Sequence, residues 1–294
     1  MLRSTLHVFL VMFALASNCC AQRGSRVDTP QPIPDKSVIY KTVGDKEYSL
    51  HVFVPERVTT AAPGPAIVFF FGGGWKSGQP SQFYSLSKFL SERGWCALCA
   101  EYRVASRDNS QVKDCVADAQ DAILFVREHA SDFGVDPNRI AAGGGSAGGH
   151  LAASLATLKY MGSRQDIVST DYRPFALVLF NPAVALAPYE EQADAEYFKD
   201  KDFTDRLGAP AESLSPLHNI HDQLPPTIIL HGEEDTTVPI WTVRDFCTRA
   251  KLQGSKCKVV GFANEKHGFF NFGRPQFEAT RDAATEFLQS QISH

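Results

Sequence analysis

The sequence predicts an α/β fold with a mostly parallel central sheet and helices on both faces, and three observations carry that prediction. Segments of strand type alternate with segments of helix type along most of the 294 residues, the pattern of a parallel sheet covered on both sides. Residues 66–71, 95–102 and 175–180 are almost continuously apolar, as strands buried on both faces must be. Residues 143–150 read Gly-Gly-Gly-Ser-Ala-Gly-Gly-His, between strand-type residues 140–142 and an alanine-rich helical run.

Taken in order, residues 1–21 are expected to be a secretory signal peptide. Arg3 supplies the positive start, residues 6–16 an apolar stretch, and Cys19 and Ala21 the −3 and −1 positions of a cut before Gln22. The apolar stretch is too short to span a bilayer. A lipoprotein anchor on Cys19 or Cys20 is the lesser alternative, because Asn18 or Cys19 stands where such a signal carries a small residue. The expected location is secreted or periplasmic, without stable membrane insertion. Residues 22–36, rich in proline and polar side chains, read as a flexible leader, and 37–294 as one domain.

Within that domain, 37–43 and 48–54 alternate around Gly44-Asp45 and predict an antiparallel hairpin. Residues 66–71 are a buried strand and 72–78 a glycine loop. Residues 82–93 have helical spacing, ended by Gly94. Residues 95–102 form the next strand and 112–133 one long helix. Residues 140–144 form the strand before the serine and 146–160 the helix after it. Residues 175–180 are the sixth strand. Residues 182–222 show little periodicity and are expected to be a small cap-like insertion after it. Strands at 227–230 and 258–262, with helices at 241–252 and 275–292, complete the alternation. The 21 phenylalanines imply an aromatic core or cleft.

Composition excludes some functions. Charged residues are 21% and the net charge is −4; with no basic patch, nucleic acid is not an expected partner. Nothing has metal-ligand spacing, and no cofactor is expected. Five cysteines follow residue 21. Cys96 and Cys99, three apart on a strand, face opposite sides and read as small buried hydrophobes. Cys247 and Cys257 are expected to form a disulfide, because a helix packed on its following strand can bring them together. Cys115, expected beyond several strands, is the competing partner.

Residues 144–148 fill a Gly-x-Ser-x-Gly pattern. A serine between a strand and a helix, flanked by residues without bulk, sits on a strained turn that lifts its hydroxyl off the sheet. The alternative for such a segment is a phosphate-cradling loop. The other motifs are Phe70-Phe71-Gly72-Gly73-Gly74-Trp75, His231-Gly232-Glu233-Glu234-Asp235 with Val238-Pro239, and His267-Gly268-Phe269-Phe270-Asn271. With these the chain resembles the α/β-hydrolase superfamily over residues 37–290. Within it, the chain is similar to secreted bacterial esterases of the acetyl-xylan and feruloyl esterase-like branch.

The resemblance implies a nucleophile, acid and base in the order Ser146, Asp235, His267. Glu233 and Glu234 are neighbours that could replace Asp235. It also implies an oxyanion hole made by the N–H groups of Gly73, Gly74 and Ala147. Phe71 stands where carboxylesterases carry a histidine, which removes a polar anchor from that loop. His150 and His231 read as structural, and Glu101-Tyr102-Arg103 as the site of a buried ion pair. The implied activity is hydrolysis of small-molecule or polysaccharide esters, with short acetyl-type groups on carbohydrate foremost. An arylformamidase or lactonase, a peptidase of the prolyl oligopeptidase kind, and a non-catalytic binding protein are the alternatives.

Overall fold

The computed structural model describes residues 30–55, 63–168, 171–193, 195–199 and 204–292. The expected signal peptide and the first part of the expected leader lie outside them. One eight-stranded sheet organises the rest. Its strands are β1 (Lys36–Val43), β2 (Lys46–Phe53), β3 (Gly64–Phe70), β4 (Cys96–Ala100), β5 (Val135–Gly145), β6 (Leu177–Phe180), β7 (Thr227–Gly232) and β8 (Cys257–Phe262). They lie in the order β1-β2-β4-β3-β5-β6-β7-β8. β1 and β2 form the expected hairpin, and β2 is also antiparallel to β4. Every other neighbouring pair is parallel. The loops that leave β3, β5, β7 and β8 therefore gather at one edge of the sheet, where such folds bind ligands.

The helices of eight residues or more are α1 (Tyr84–Ser91), α2 (Val112–Glu128), α3 (Ala147–Thr157), α4 (Ile240–Leu252) and α5 (Phe277–Ile292). Strand side chains alternate between the two faces, as period-two geometry requires. Ala66, Val68 and Phe70 of β3 join one core with Val116, Ile123, Leu151 and Phe246 of α2, α3 and α4. Ile67 and Phe69 join the other with Leu86, Leu90 and Leu288 of α1 and α5. Each fully buried leucine or phenylalanine contributes about 1.5–3 kcal/mol through apolar surface removed from water. Cys96 and Cys99 fall in opposite cores, as their spacing requires. The phenylalanines concentrate in the second core, where Phe83 stacks on Phe69 at 4.8 Å and Phe270 on Phe180 at 4.8 Å.

Three local expectations change. The helix expected over 112–133 ends at Glu128, and a separate turn, Ala130–Phe133, follows His129 and closes on Gly134 at φ 64°. Phe133 remains buried, so the apolar period runs on past the break and conceals it. β5 begins at Val135 rather than 140, because Val135 pairs with Gly64 before a register shift. The insertion at 182–222 contributes to the core at both ends: Ala183, Val184, Ala185 and Leu186 are buried, and so are Leu207, Leu214 and Leu217 in the short turns that follow.

Arg103 does enter a buried ion pair, but with Asp118 of α2, at 2.8 Å, where Lys41 joins at 2.6 Å. Glu101 instead accepts the Ser49 N–H and lies 3.6 Å from His51. Cys247 and Cys257 are joined as a disulfide with Cα atoms 5.3 Å apart, while Cys115 is free and buried. Among the described residues no helix is long and apolar enough to cross a membrane.

Candidate active site

Ser146 sits between the end of β5 and the start of α3 at φ 55°, ψ −118°, outside the well that L-residues populate at positive φ. The glycines around it are required by contact. A Cβ on Gly148 would lie 2.0 Å from the Phe70 carbonyl oxygen, and one on Gly144 would lie 2.4 Å from the Gly148 backbone. The turn is held by the Ser146 N–H donating to Phe180 O at 2.9 Å and by His150 N–H donating to Ser146 O at 3.0 Å.

The structure brings the three residues singled out by the motifs into one line. His267 Nε2 lies 2.9 Å from Ser146 Oγ, and His267 Nδ1 lies 2.7 Å from Asp235 Oδ2. Asp235 is buried, and its Oδ1 accepts the N–H groups of Thr237 and Val238, each at 2.9 Å. That turn leaves Oδ2 facing the imidazole. Glu233 and Glu234 are exposed, and Glu233 faces Arg244 at 3.6 Å, so neither replaces Asp235. Gly232 lets the histidine loop approach β7, since a Cβ there would meet Glu265 O at 2.4 Å. The assembly can pass the serine proton to the imidazole while the carboxylate fixes the ring and compensates its charge.

The glycine loop follows β3. Gly73, Gly74 and Trp75 adopt φ values of 126°, 62° and 56°, and a Cβ on Gly73 would strike Ser77 O at 2.2 Å. The Gly72 N–H is already taken by Gln82 Oε1 at 2.6 Å. No backbone acceptor among the described residues takes the N–H of Gly73, Gly74 or Ala147. Phe71, in the place of a histidine, stacks on Tyr102 at 4.1 Å, and the Tyr102 hydroxyl donates to Phe71 O at 2.6 Å. The loop's polar anchors come from elsewhere. Arg206 of the insertion donates to Gly74 O at 3.0 Å, and Arg107 donates to Gly78 O at 2.8 Å.

His150 and His231 are structural, and neither faces the cavity beside Ser146. The His150 Nε2–H donates to Leu214 O at 2.8 Å, while Nδ1 accepts from Trp75 Nε1 at 3.2 Å. Burial pushes its pKa down to about 4, so it remains neutral. The His231 Nε2–H donates to Val238 O at 2.8 Å, and burial likewise lowers its pKa. A cavity of about 210 Å³ adjoins Ser146, walled by Trp75, Ala183, Ala185, Tyr197, Phe198 and Val238. Burial, helped by the Asp235 charge, raises the Tyr197 phenol pKa, so that wall is uncharged. A larger polar cleft of about 480 Å³ around His51 and Glu101 includes none of Ser146, Asp235 and His267; the smaller cavity is the one that bears on the chemistry. Sequence reasoning missed Gln82, Asn181 and Arg206, which stand in no motif, and it gave no role to Asn271 at the end of the histidine motif; all four act by joining distant segments.

Sheet order, elbow and the Ser146–His267–Asp235 line together define an α/β-hydrolase. The chain belongs to the BD-FAE family, whose model matches residues 50–249. Among solved structures, the apo form of Thermogutta terrifontis esterase 2 is 41% identical, with a TM-score of 0.81 over 90% of this chain and 97% of that one. The same esterase phosphonylated by sarin is 40% identical, with a TM-score of 0.82, covering 87% and 94%. Among curated proteins, the probable carboxylic ester hydrolase LipM of Mycobacterium tuberculosis is 29% identical over 90% of this chain and 65% of its own length. The isoprenylcysteine alpha-carbonyl methylesterase ICME of Arabidopsis thaliana is 28% identical over 69% of this chain and 50% of its own. The chain thus spans between half and two thirds of these curated relatives.

Proposed function

We propose that this chain is a serine carboxylic-ester hydrolase that works through an acyl-enzyme. The observation that carries the reading is the continuous hydrogen-bonded line from Ser146 Oγ through His267 to Asp235. Ser146 Oγ attacks the ester carbonyl as its proton passes to His267 Nε2. The oxyanion is held by the N–H groups of Gly73, Gly74 and Ala147, fixed in place before reaction so that no reorganisation is needed as charge develops. His267 then gives the proton to the leaving alcohol. Water, deprotonated by the same nitrogen, attacks the acyl-enzyme, and the proton returns to Ser146.

The substrate reading is a short, acetyl-type acyl group on a carbohydrate alcohol. The small cavity with alanine, valine and aromatic walls supports it. So do the propionate- and butyrate-bound structures of the Thermogutta esterase, 41% identical to this chain. The signal-peptide pattern of residues 1–21 supports export, to the medium or the periplasm, where polysaccharide and an oxidising environment for Cys247–Cys257 are found.

The test compares p-nitrophenyl esters of graded length with acetylated xylan, and titrates the sites with paraoxon, the agent that phosphorylated the Thermogutta relative in a solved structure. The expected result is one equivalent of paraoxon to silence the protein, best turnover with two- to four-carbon acyl groups, and acetate released from the polysaccharide. A preference for long acyl chains would overturn the acyl assignment, and an absence of acetate release would overturn the carbohydrate one.

A further inference from the structure

We propose that Gln82 is a positioning residue for ester hydrolysis, the middle link of a hydrogen-bonded bridge that holds the glycine loop and the histidine loop at a fixed separation. The proposal rests on the roles assigned above to Ser146, His267 and the loop N–H groups.

Gln82 lies in the turn Pro80–Phe83, just before α1. Its Oε1 accepts the Gly72 N–H at 2.6 Å, and its Nε2 donates to Asn271 Oδ1 at 2.8 Å. Asn271 Nδ2 donates onward to Gly268 O at 2.8 Å, and the Gly268 N–H donates to Asn181 Oδ1 at 3.2 Å. The polarity of this chain is forced. A backbone N–H only donates and a carbonyl only accepts, so both amides have one orientation that satisfies both ends. A side chain with both an acceptor and a donor is needed at Gln82; a carboxylate lacks the donor, and a thioether lacks the donor and accepts only weakly.

Each end of the bridge touches the chemistry. Gly72 is pressed on the elbow, since a Cβ there would lie 2.9 Å from Gly145 O and 3.3 Å from Ser146 Cβ. Its neighbours Gly73 and Gly74 present the free N–H groups. By occupying the Gly72 N–H, Gln82 also sets which face of the loop those neighbours turn outward. At the other end, Gly268 directly follows His267, so a shift of its carbonyl moves the imidazole relative to Ser146 Oγ. The two loops are far apart in sequence and leave different strands. Beneath the polar bridge, Phe83 stacks on Phe270 at 5.9 Å and ties the same two segments by apolar contact. The fold therefore does not depend on the bridge, whereas the relative position of donors and base does.

The experiment uses Gln82→Met, Asn271→Leu, their double variant and Gln82→Glu in the full chain. Paraoxon titration counts competent sites, turnover of p-nitrophenyl butyrate is measured per site, and hydrogen exchange is followed in segments 72–78 and 263–272. Each of the first two variants is expected to lower kcat per site on the order of 10- to 100-fold, the scale of sub-ångström to ångström misplacement, with KM and Tm little changed. The double variant is expected to lose no more than the worse single one, since both break one bridge. Exchange quickens in both segments in either variant. Gln82→Glu keeps the acceptor for Gly72 but loses the donor to Asn271, so it is expected to lower kcat per site and quicken exchange in both segments as Asn271→Leu does. Unchanged kcat per site, additive losses, or exchange that quickens only beside the mutated residue would each overturn the bridge. Should the wild-type protein hydrolyse no ester, the functional reading fails, while the exchange pattern still decides the bridge.

Discussion

Ser146 is expected to be a strained residue, and replacing it with glycine should leave a more stable protein than replacing it with alanine. Its φ of 55° with ψ of −118° brings a Cβ into a conformation that costs about 1–3 kcal/mol for a non-glycine residue. Alanine keeps that Cβ and glycine removes it. Both variants lose the hydroxyl and its bond to His267, so that loss cancels in the comparison. Glycine's extra freedom in the unfolded chain offsets about 0.4–1 kcal/mol of the gain. With the middle of each range, about 2 less about 0.7, the net difference is about 1.3 kcal/mol in favour of glycine, or about 3–5 °C in Tm at roughly 2–4 °C per kcal/mol for a large domain. Guanidinium and thermal unfolding of the two purified variants, disulfide oxidised, measure it directly. Ser146→Ala equal to or more stable than Ser146→Gly would refute the claim that the elbow stores strain.

Asp235→Asn should lower turnover roughly 10⁴-fold: the Thr237 and Val238 N–H groups hold the amide oxygen, its NH₂ then meets His267 Nδ1, and the ring takes the wrong tautomer. Glu234→Gln should stay near wild type, and kinetics on both variants check the assignment. Burial holds His150 at a pKa of about 4 against 6.5 when exposed, so the unfolded chain binds that proton first. Its contribution is complete above about pH 6.5 and falls as pH drops toward 4, by about 3 kcal/mol in all; His150→Gln, which can accept from Trp75 and donate to Leu214 O, should flatten that part of a stability–pH curve, and an unchanged slope would contradict it. Opening the Cys247–Cys257 bond, with sequence separation 10, should cost about 3 kcal/mol through loop entropy while leaving most of the activity, read by unfolding Cys247→Ser/Cys257→Ser against the oxidised protein.

The site is legible in the sequence where local backbone geometry dictates residue type. Gly144 and Gly148 are visible because only glycine permits their mutual contact, and Gly73 because of its turn. Asp235 stands out from Glu233 and Glu234 by its place in a motif, and the structure gives the reason: the turn after β7 points one carboxylate inward and leaves two in solvent. Gln82 was invisible because its partners Gly72 and Asn271 lie 10 and 189 residues away, and a glutamine at the start of a helix looks like any polar residue; Asn271 stands in the histidine motif, but nothing local ties it to Gln82. Arg206 was hidden for the same reason, in a segment whose apolar residues are buried through short turns without period. The end of α2 was misplaced because burial of Phe133 extends the apolar pattern across a break made at His129.

The central claim is that Ser146 forms the covalent acyl intermediate. Its most direct measurement is turnover of p-nitrophenyl acetate by wild-type and Ser146→Ala protein, with mass analysis of the paraoxon-treated wild type. The expected result is a loss on the order of 10⁶-fold, since the three residues act as a unit, together with one phosphoryl adduct on the peptide that contains Ser146. Near-wild-type turnover by Ser146→Ala, or an adduct on another residue, would contradict it.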